Sequence, residues 1–163
     1  MRIGVVSDTH DHLDRLRRAL EVCRKEGAAL VLHAGDFISP FTAVPFVETG
    51  LSLIGVFGNN DGDVRHLQER FRGCGELHAG PHELGLAGRR VVLMHEPRTL
   101  DALIDSGRYD LVVYGHTHRV DVRGGFPRVV NPGECCGWIT GRATCAVVDL
   151  STLETQIFDL GQP

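Results

Sequence analysis

Short apolar blocks recur along the chain, each closed by a polar or glycine-bearing segment, as expected of strands covered on both faces. Residues 2–7, 29–34 and 51–57 read as three such strands. Between the first two the period lengthens. Leu13, Leu16, Leu20 and Cys23 fall on one stripe of a helix over 12–26, with Asp11 placed to cap it and Gly27 to stop it. Shorter helices are predicted over 41–48, which contains Pro45, and over 63–71, giving the β-α-β-α-β-α order of parallel crossover units. After Gly80-Pro81 the pattern changes: 82–86 and 90–94 form a hairpin around Ala87-Gly88, and a helix over 99–106 leads into a strand over 110–114. The remainder, with strands over 120–123, 128–131, 144–150 and 155–160, predicts a second sheet. Two stacked mixed β-sheets flanked by helices make an α/β fold, a four-layer α/β/β/α sandwich.

Chemistry-bearing residues gather where the apolar blocks end. Asp8-Thr9-His10 follows the first strand, Gly35-Asp36 the second and Gly58-Asn59-Asn60-Asp61 the third, while His95 and His116-Thr117-His118 follow later ones. In extended backbone, residues i and i+2 share a face, so each triplet is expected to aim two side chains at one point. Taken singly, a strand-end Asp is commonly a helix cap and a lone His a satisfied polar group. Jointly, Asp8, His10, Asp36, Asn59, His95, His116 and His118 place seven oxygen and nitrogen donors on one rim, which suits two metal ions and phosphate-ester chemistry. Gly35, Gly58 and Gly115 are expected to let the backbone turn sharply beside these donors. Oxygen and imidazole donors without thiolate favour Mn²⁺, Ni²⁺, Fe or Co²⁺ over a closed structural zinc site.

Composition narrows the partners. With 163 residues and 42 % hydrophobic content the chain supports one well-filled core, so a single domain over 1–163 is expected. A formal charge of −4 argues against general nucleic-acid binding. No signal-peptide pattern precedes the first strand and no apolar run approaches the ~18 residues of a membrane span, so a soluble, cytoplasmic protein without membrane partners is expected. Cys23, Cys74, Cys135, Cys136 and Cys145 form no C-x-x-C motif and are odd in number, which favours reduced thiols. Cys23 and Cys145 read as core residues, while the vicinal Cys135-Cys136 pair offers a lesser soft-metal or redox alternative. Arg15, Arg17 and Arg18 read as a solvated helix face. His12, His33, His66, His78 and His82 lack ligand context, although His12 is close enough to line an entrance; Arg119 is placed to touch a phosphate.

These motifs, in this order and extending to Asn131-Pro132-Gly133, resemble the calcineurin-like metallophosphoesterases, specifically their small prokaryotic phosphodiesterase branch. The resemblance covers nearly the whole chain. It implies that Asp8, His10, Asp36 and His118 hold one ion and Asp36, Asn59, His95 and His116 the other, with Asp36 bridging. The implied cofactors are two divalent transition metal ions, Mn²⁺ foremost and Zn²⁺ among the alternatives. The implied reaction is attack of a metal-bridging hydroxide on a small phosphate ester, a diester before a monoester; a homo-oligomer is compatible with it. Asn59, Asn60, Asp61 and His95 are the candidate catalytic positions. Asn60 departs from the family pattern, standing where many phosphomonoesterases place a proton-donating histidine, and an amide cannot supply that proton. Asp61 then reads either as a catalytic partner or as an acceptor for loop amides. Glu96-Pro97 also departs, bringing a carboxylate and a proline beside the second metal. The rival readings are a phosphomonoesterase or nucleotide phosphatase, and a non-catalytic protein-binding scaffold on the same fold.

Overall fold

The computed structural model describes residues 1–161, so the last two residues of the expected 1–163 domain lie outside the described residues. Its first half runs β1 (Arg2–Val6), α1 (Leu13–Lys25), β2 (Ala28–His33), α2 (Ala43–Thr49), β3 (Leu53–Val56), α3 (Val64–Phe71) and β4 (Gly75–His78). Strands β1 to β4 are mutually parallel and adjacent in that order. A 3₁₀ turn over Pro40–Thr42 precedes α2, and Pro45 falls in that helix's first turn, where its missing N–H costs no helical bond.

The second sheet takes β5 (His82–Leu86), β6 (Arg89–Leu93), β7 (Leu111–Val113), β8 (Val120–Arg123) and β9 (Arg128–Pro132), with α4 (Leu100–Asp105) between β6 and β7. Its order is β5-β6-β7-β9-β8, and β6, β7 and β9 are parallel. Leu86 pairs with Arg89 across Ala87 and Gly88, both at positive φ, the two-residue turn that matches strand twist. One expectation is corrected: β10 (Thr144–Asp149) and β11 (Glu154–Asp159) do not extend the second sheet. They return to the first, where β10 pairs antiparallel with β1.

Packing defines four layers. Ile3, Val5, Leu30 and Leu32 of the first sheet meet Val91, Leu93, Leu111 and Val113 of the second in one buried core. The opposite face of the first sheet carries α1, α2 and α3, with Phe71 set edge-on to Phe37 and Phe46 at ring separations of 5.3 and 5.7 Å. Leu100 of α4 covers Val92 and Val112 on the far side. Cys23 and Cys145 are buried in the helix-side core, as expected. Two local readings are corrected. Asp11 does not cap α1, because its carboxylate accepts from the Ser39 amide at 3.1 Å and from the Ser39 and Thr42 hydroxyls. Arg15 is not on a solvated face: it is 6 % exposed and donates to the Leu160 carbonyl at 3.2 Å.

Candidate metal centre

All five motif segments leave the carboxyl ends of parallel strands: β1, β2 and β3 of the first sheet, β6 and β7 of the second. Because the two sheets are stacked, these ends share one edge of the sandwich. The route by which side chains converge differs from the expected one. β1 ends at Val6 and β7 at Val113, before either triplet begins. Asp8, His10, Asp36, His116 and His118 all have left-handed backbone, with φ of 52°, 43°, 62°, 67° and 60°. Convergence at i and i+2 therefore comes from local backbone kinks that Asp and His tolerate better than most residues. Of the glycines, Gly35 turns sharply, at φ 99°, whereas Gly58 and Gly115 have no positive φ. Gly58 answers to space: a Cβ there would lie 2.1 Å from Asp36 Oδ1.

The structure brings Asp8, His10, Asp36 and His118 within 4.8 Å of one another through one ligand-capable atom each. Asp8 Oδ1 and His10 Nε2 are buried without a hydrogen-bond partner. Such orphaned atoms are costly unless a ligand satisfies them. Asp36 Oδ2 stands 3.5 Å from His10 Nε2 and 3.5 Å from His95 Nε2, midway between this group and a second one. There His95 Nε2, Asn59 Oδ1 and His116 Nδ1 face each other at 2.9 to 3.3 Å. His95 Nδ1 donates to the Ala34 carbonyl at 2.7 Å, which commits the neutral ring's only proton and leaves Nε2 as a lone pair aimed at Asn59 Oδ1. Electron-rich atoms facing each other, with His95 buried behind the exposed Asn59 and His116, fit a cation between them. Donors and surroundings thus suit divalent ions at both positions.

The buried carboxylates answer to burial first. Desolvation raises the Asp8 carboxyl above its ordinary value, opposed by the Ser7 hydroxyl and by His95 and His118. Asp61, also raised by burial, accepts from the amides of Asp36, Ile38 and Gly58 at 3.1, 2.8 and 2.7 Å. Both its oxygens are used as loop acceptors. Asn60 donates from its backbone to Asp36 Oδ1 at 3.0 Å and from its side-chain amide to Asp36 Oδ2 at 2.8 Å, so it orients the Asp36 carboxylate. Asn131 donates to the Gly115 carbonyl and to Thr117 Oγ1, supporting the His116 loop.

Sequence reasoning passed over Glu134. It is fully buried, and its Oε2 accepts from His118 Nδ1 at 2.8 Å, turning Nε2 inward. The same carboxylate holds the amides of Ile139 and Thr140. Burial pushes Glu134 up, yet the hydrogen bonds from His118, Thr140 and Ile139 prevail and hold it at about 2. A lone acidic residue in a Cys- and Gly-bearing loop carried no signal for this role. His33, fully buried and stacked on Phe37, bonds Thr9 Oγ1, which donates to the Asp36 carbonyl; burial holds its pKa well below the ordinary value. Cys135 and Cys136 are buried thiols pushed upward by desolvation, Cys136 to about 12, and Cys136 stands with His118 and Glu134 in a second group that could hold a metal ion.

A cleft and an exposed ring border the centre. Beside Asn59 and His95 lies a cleft of about 440 Å³ whose walls include Phe57, Pro81, Met94 and Thr99. Glu96 and Arg98 line it as an ion pair, so the Glu96 charge is balanced. On the His10 side stands Trp138, its ring 6.3 Å from that of His10 and 5.8 Å from that of His12. Arg119 is exposed.

A cluster of carboxylate and imidazole donors at the shared strand ends of a four-layer sandwich points to a metallophosphoesterase class, and comparison with known proteins agrees. Residues 1–153 match the calcineurin-like phosphoesterase superfamily domain, and the chain belongs to that family. It is 37 % identical over 159 residues to phosphodiesterase MJ0936 of Methanocaldococcus jannaschii, covering 94 % of this chain and 96 % of that protein. A solved structure described as a novel archaeal phosphodiesterase superposes with a TM-score of 0.91 at 34 % identity, covering 98 % of this chain and 99 % of that one. The YfcE phosphoesterase of E. coli shares the fold, with a TM-score of 0.69 at 20 % identity, covering 99 % of this chain and 100 % of that one.

Proposed function

We propose that the chain is a phosphodiesterase acting as one metallophosphoesterase domain. Asp8, His10, Asp36 and His118 hold one divalent cation in this reading. Asp36, Asn59, His95 and His116 hold a second, and Asp36 is shared. The carrying observation is the pair of orphaned buried atoms, Asp8 Oδ1 and His10 Nε2, beside an Asp36 oxygen equidistant from His10 and His95. When bound, two such cations supply an activated water and a clamp on phosphate oxygens. The chain's own residues arrange this: Glu134 and the Ala34 carbonyl fix the His118 and His95 rings, while Asn60 and the Asp61-braced loop orient Asp36. Asn59 and His95 border the cleft that receives one arm of the ester. The similarity to proteins described as archaeal phosphodiesterases favours diesters over monoesters. Oxygen and imidazole donors favour Mn²⁺, and five free cysteines favour a reducing, cytoplasmic setting. No helix among the described residues is long and apolar enough to cross a membrane.

The test is hydrolysis of bis(p-nitrophenyl) phosphate by chelator-stripped protein reloaded with Mn²⁺, Ni²⁺, Co²⁺, Fe²⁺ or Zn²⁺. Activity is expected only after reloading, and a folded His95→Ala or His116→Ala variant should lose it. Full activity in the stripped protein or in either variant would refute the site. Inactivity with every metal would leave the scaffold reading standing.

A further inference from the structure

We propose that Trp138, with His12 beside it, is a stacking platform for a planar aromatic arm of the phosphate ester. This rests on the phosphodiesterase reading and names the substrate class it favours. Trp138 is 65 % exposed, an unusual state for a large aromatic ring, and it stands where exposure has a use. The rings of His118, His10, Trp138 and His12 follow one another outward from the metal centre, with successive centroids at 5.3, 6.3 and 5.8 Å. A phosphate held at the centre would thus lie next to His10, whose ring neighbours Trp138 at 6.3 Å. The cleft beside His95, which Trp138 does not line, takes the other substituent.

The position is built rather than incidental. The amides of Cys135 and Cys136 bond the carbonyls of Ser7 and Asp8 at 2.9 and 3.2 Å, so the loop leading to Trp138 is sewn to the strand end that bears Asp8. Just beyond Trp138, the Ile139 and Thr140 amides bond Glu134, the same carboxylate that orients His118. The backbone that carries the ring is therefore fixed before ligand arrives, which reduces the ordering cost of binding. Every nucleobase or aryl group has a π-face that such a ring accepts, whereas an alkyl arm does not.

Trp138 is the chain's sole tryptophan, so its fluorescence reports directly on the platform. The experiment titrates adenosine 5′-phosphate, phenyl phosphate and methyl phosphate into the metal-loaded protein, following fluorescence and inhibition of bis(p-nitrophenyl) phosphate hydrolysis. The two aromatic esters should quench the fluorescence and inhibit about 5- to 100-fold more tightly than methyl phosphate. A tighter adenosine ester assigns the arm to a nucleoside; equal binding of the phenyl ester assigns it to any aryl group. Trp138→Ala should abolish the aromatic advantage and leave the methyl phosphate inhibition constant unchanged, while Trp138→Phe should retain most of that advantage. Equal inhibition by all three esters, or an aromatic preference that survives Trp138→Ala, would overturn the platform. Absence of hydrolysis would count against the phosphodiesterase reading alone, because selective quenching is still read without turnover.

Discussion

Replacing Glu134 by Gln tests the metal centre through a residue that does not itself face the proposed cation. Both Glu134 oxygens act only as acceptors: Oε1 takes the Thr140 amide and hydroxyl, Oε2 takes His118 Nδ1, and the Ile139 amide reaches both. Glutamine has one acceptor oxygen and an NH₂ that can only donate. The oxygen is best kept by the two Thr140 donors, which leaves the NH₂ facing His118 Nδ1. That ring must then accept at Nδ1 and carry its proton on Nε2, the nitrogen 3.4 Å from Asp8 Oδ1. A protonated Nε2 cannot hold a cation. Loss of such an outer partner typically weakens metal affinity or activity by ~10–100-fold. Loss of a buried charge-assisted bond also costs ~1.5–3 kcal/mol, which in a chain of this size lowers Tm by ~3–12 °C. Two measurements separate the effects: Mn²⁺ titration of stripped protein by calorimetry, and a thermal melt with chelator present. The expected result is a weakened site bearing His118 and a near-normal second site. Unchanged affinity at both sites, with only Tm lowered, would refute the tautomer reasoning and reduce Glu134 to a loop anchor.

Other expected outcomes follow from neighbouring contacts. Asp36→Asn should weaken both cation sites and His10→Ala mainly one, by ~10²-fold or more, visible as the loss of two binding steps against one in the same titration. With Asn60 committed to Asp36 and no proton donor in its place, wild-type rates should fall steeply as leaving-group pKa rises. Asn60→His should flatten that dependence by up to ~10²–10⁴-fold for poor leaving groups, and a flat wild-type plot would refute this. Asp8→Asn should melt higher than wild type when both are metal-free at about pH 7. Burial raises the Asp8 carboxyl above its ordinary 3.8, so the wild-type fold is penalised as pH rises through the interval between those values and remains penalised above it. The advantage should shrink as pH falls toward 3.8, and a pH-independent difference would show that ionisation of Asp8 is not its cause.

The parallel first half was legible because short, mostly apolar blocks alternate there with helical stretches, as with Leu16, Leu20 and Cys23 on α1. The strand β4 was not, since Gly75-Glu76-Leu77-His78 offers one buried apolar residue at a sheet edge. Nor was the return of β10 to β1: pairing across more than a hundred residues is decided by which edge remains open, and local pattern does not record it. At the site, the positions of the seven donors were readable from strand ends, but the means of their convergence was not. Left-handed backbone at Asp8, His10, Asp36, His116 and His118 is set by tertiary contacts, and no residue type there demands it. Arg15 misled for a related reason. Its long apolar stem lets a guanidinium on a helix reach a buried carbonyl, so charge alone does not mark an exposed face.

Those left-handed residues are held by bonds between loops. Each costs on the order of 1 kcal/mol, and five together form a sizeable fraction of the ~5–15 kcal/mol that holds a domain folded. They persist because each loop is fastened to another. The Asp8 amide bonds the Gly35 carbonyl, the Thr9 and His10 amides bond the Asp36 carbonyl, and the His116 amide bonds Asp8 Oδ2. Asp36 in turn is held by Asn60, whose loop is braced by Asp61. Asp8, His10, Asp36 and His116 cannot relax to ordinary backbone geometry without breaking bonds made with a segment from a different strand. The strain is distributed over a closed network, and the orphaned atoms of Asp8 and His10 are kept facing each other because no single loop has the freedom to turn them away.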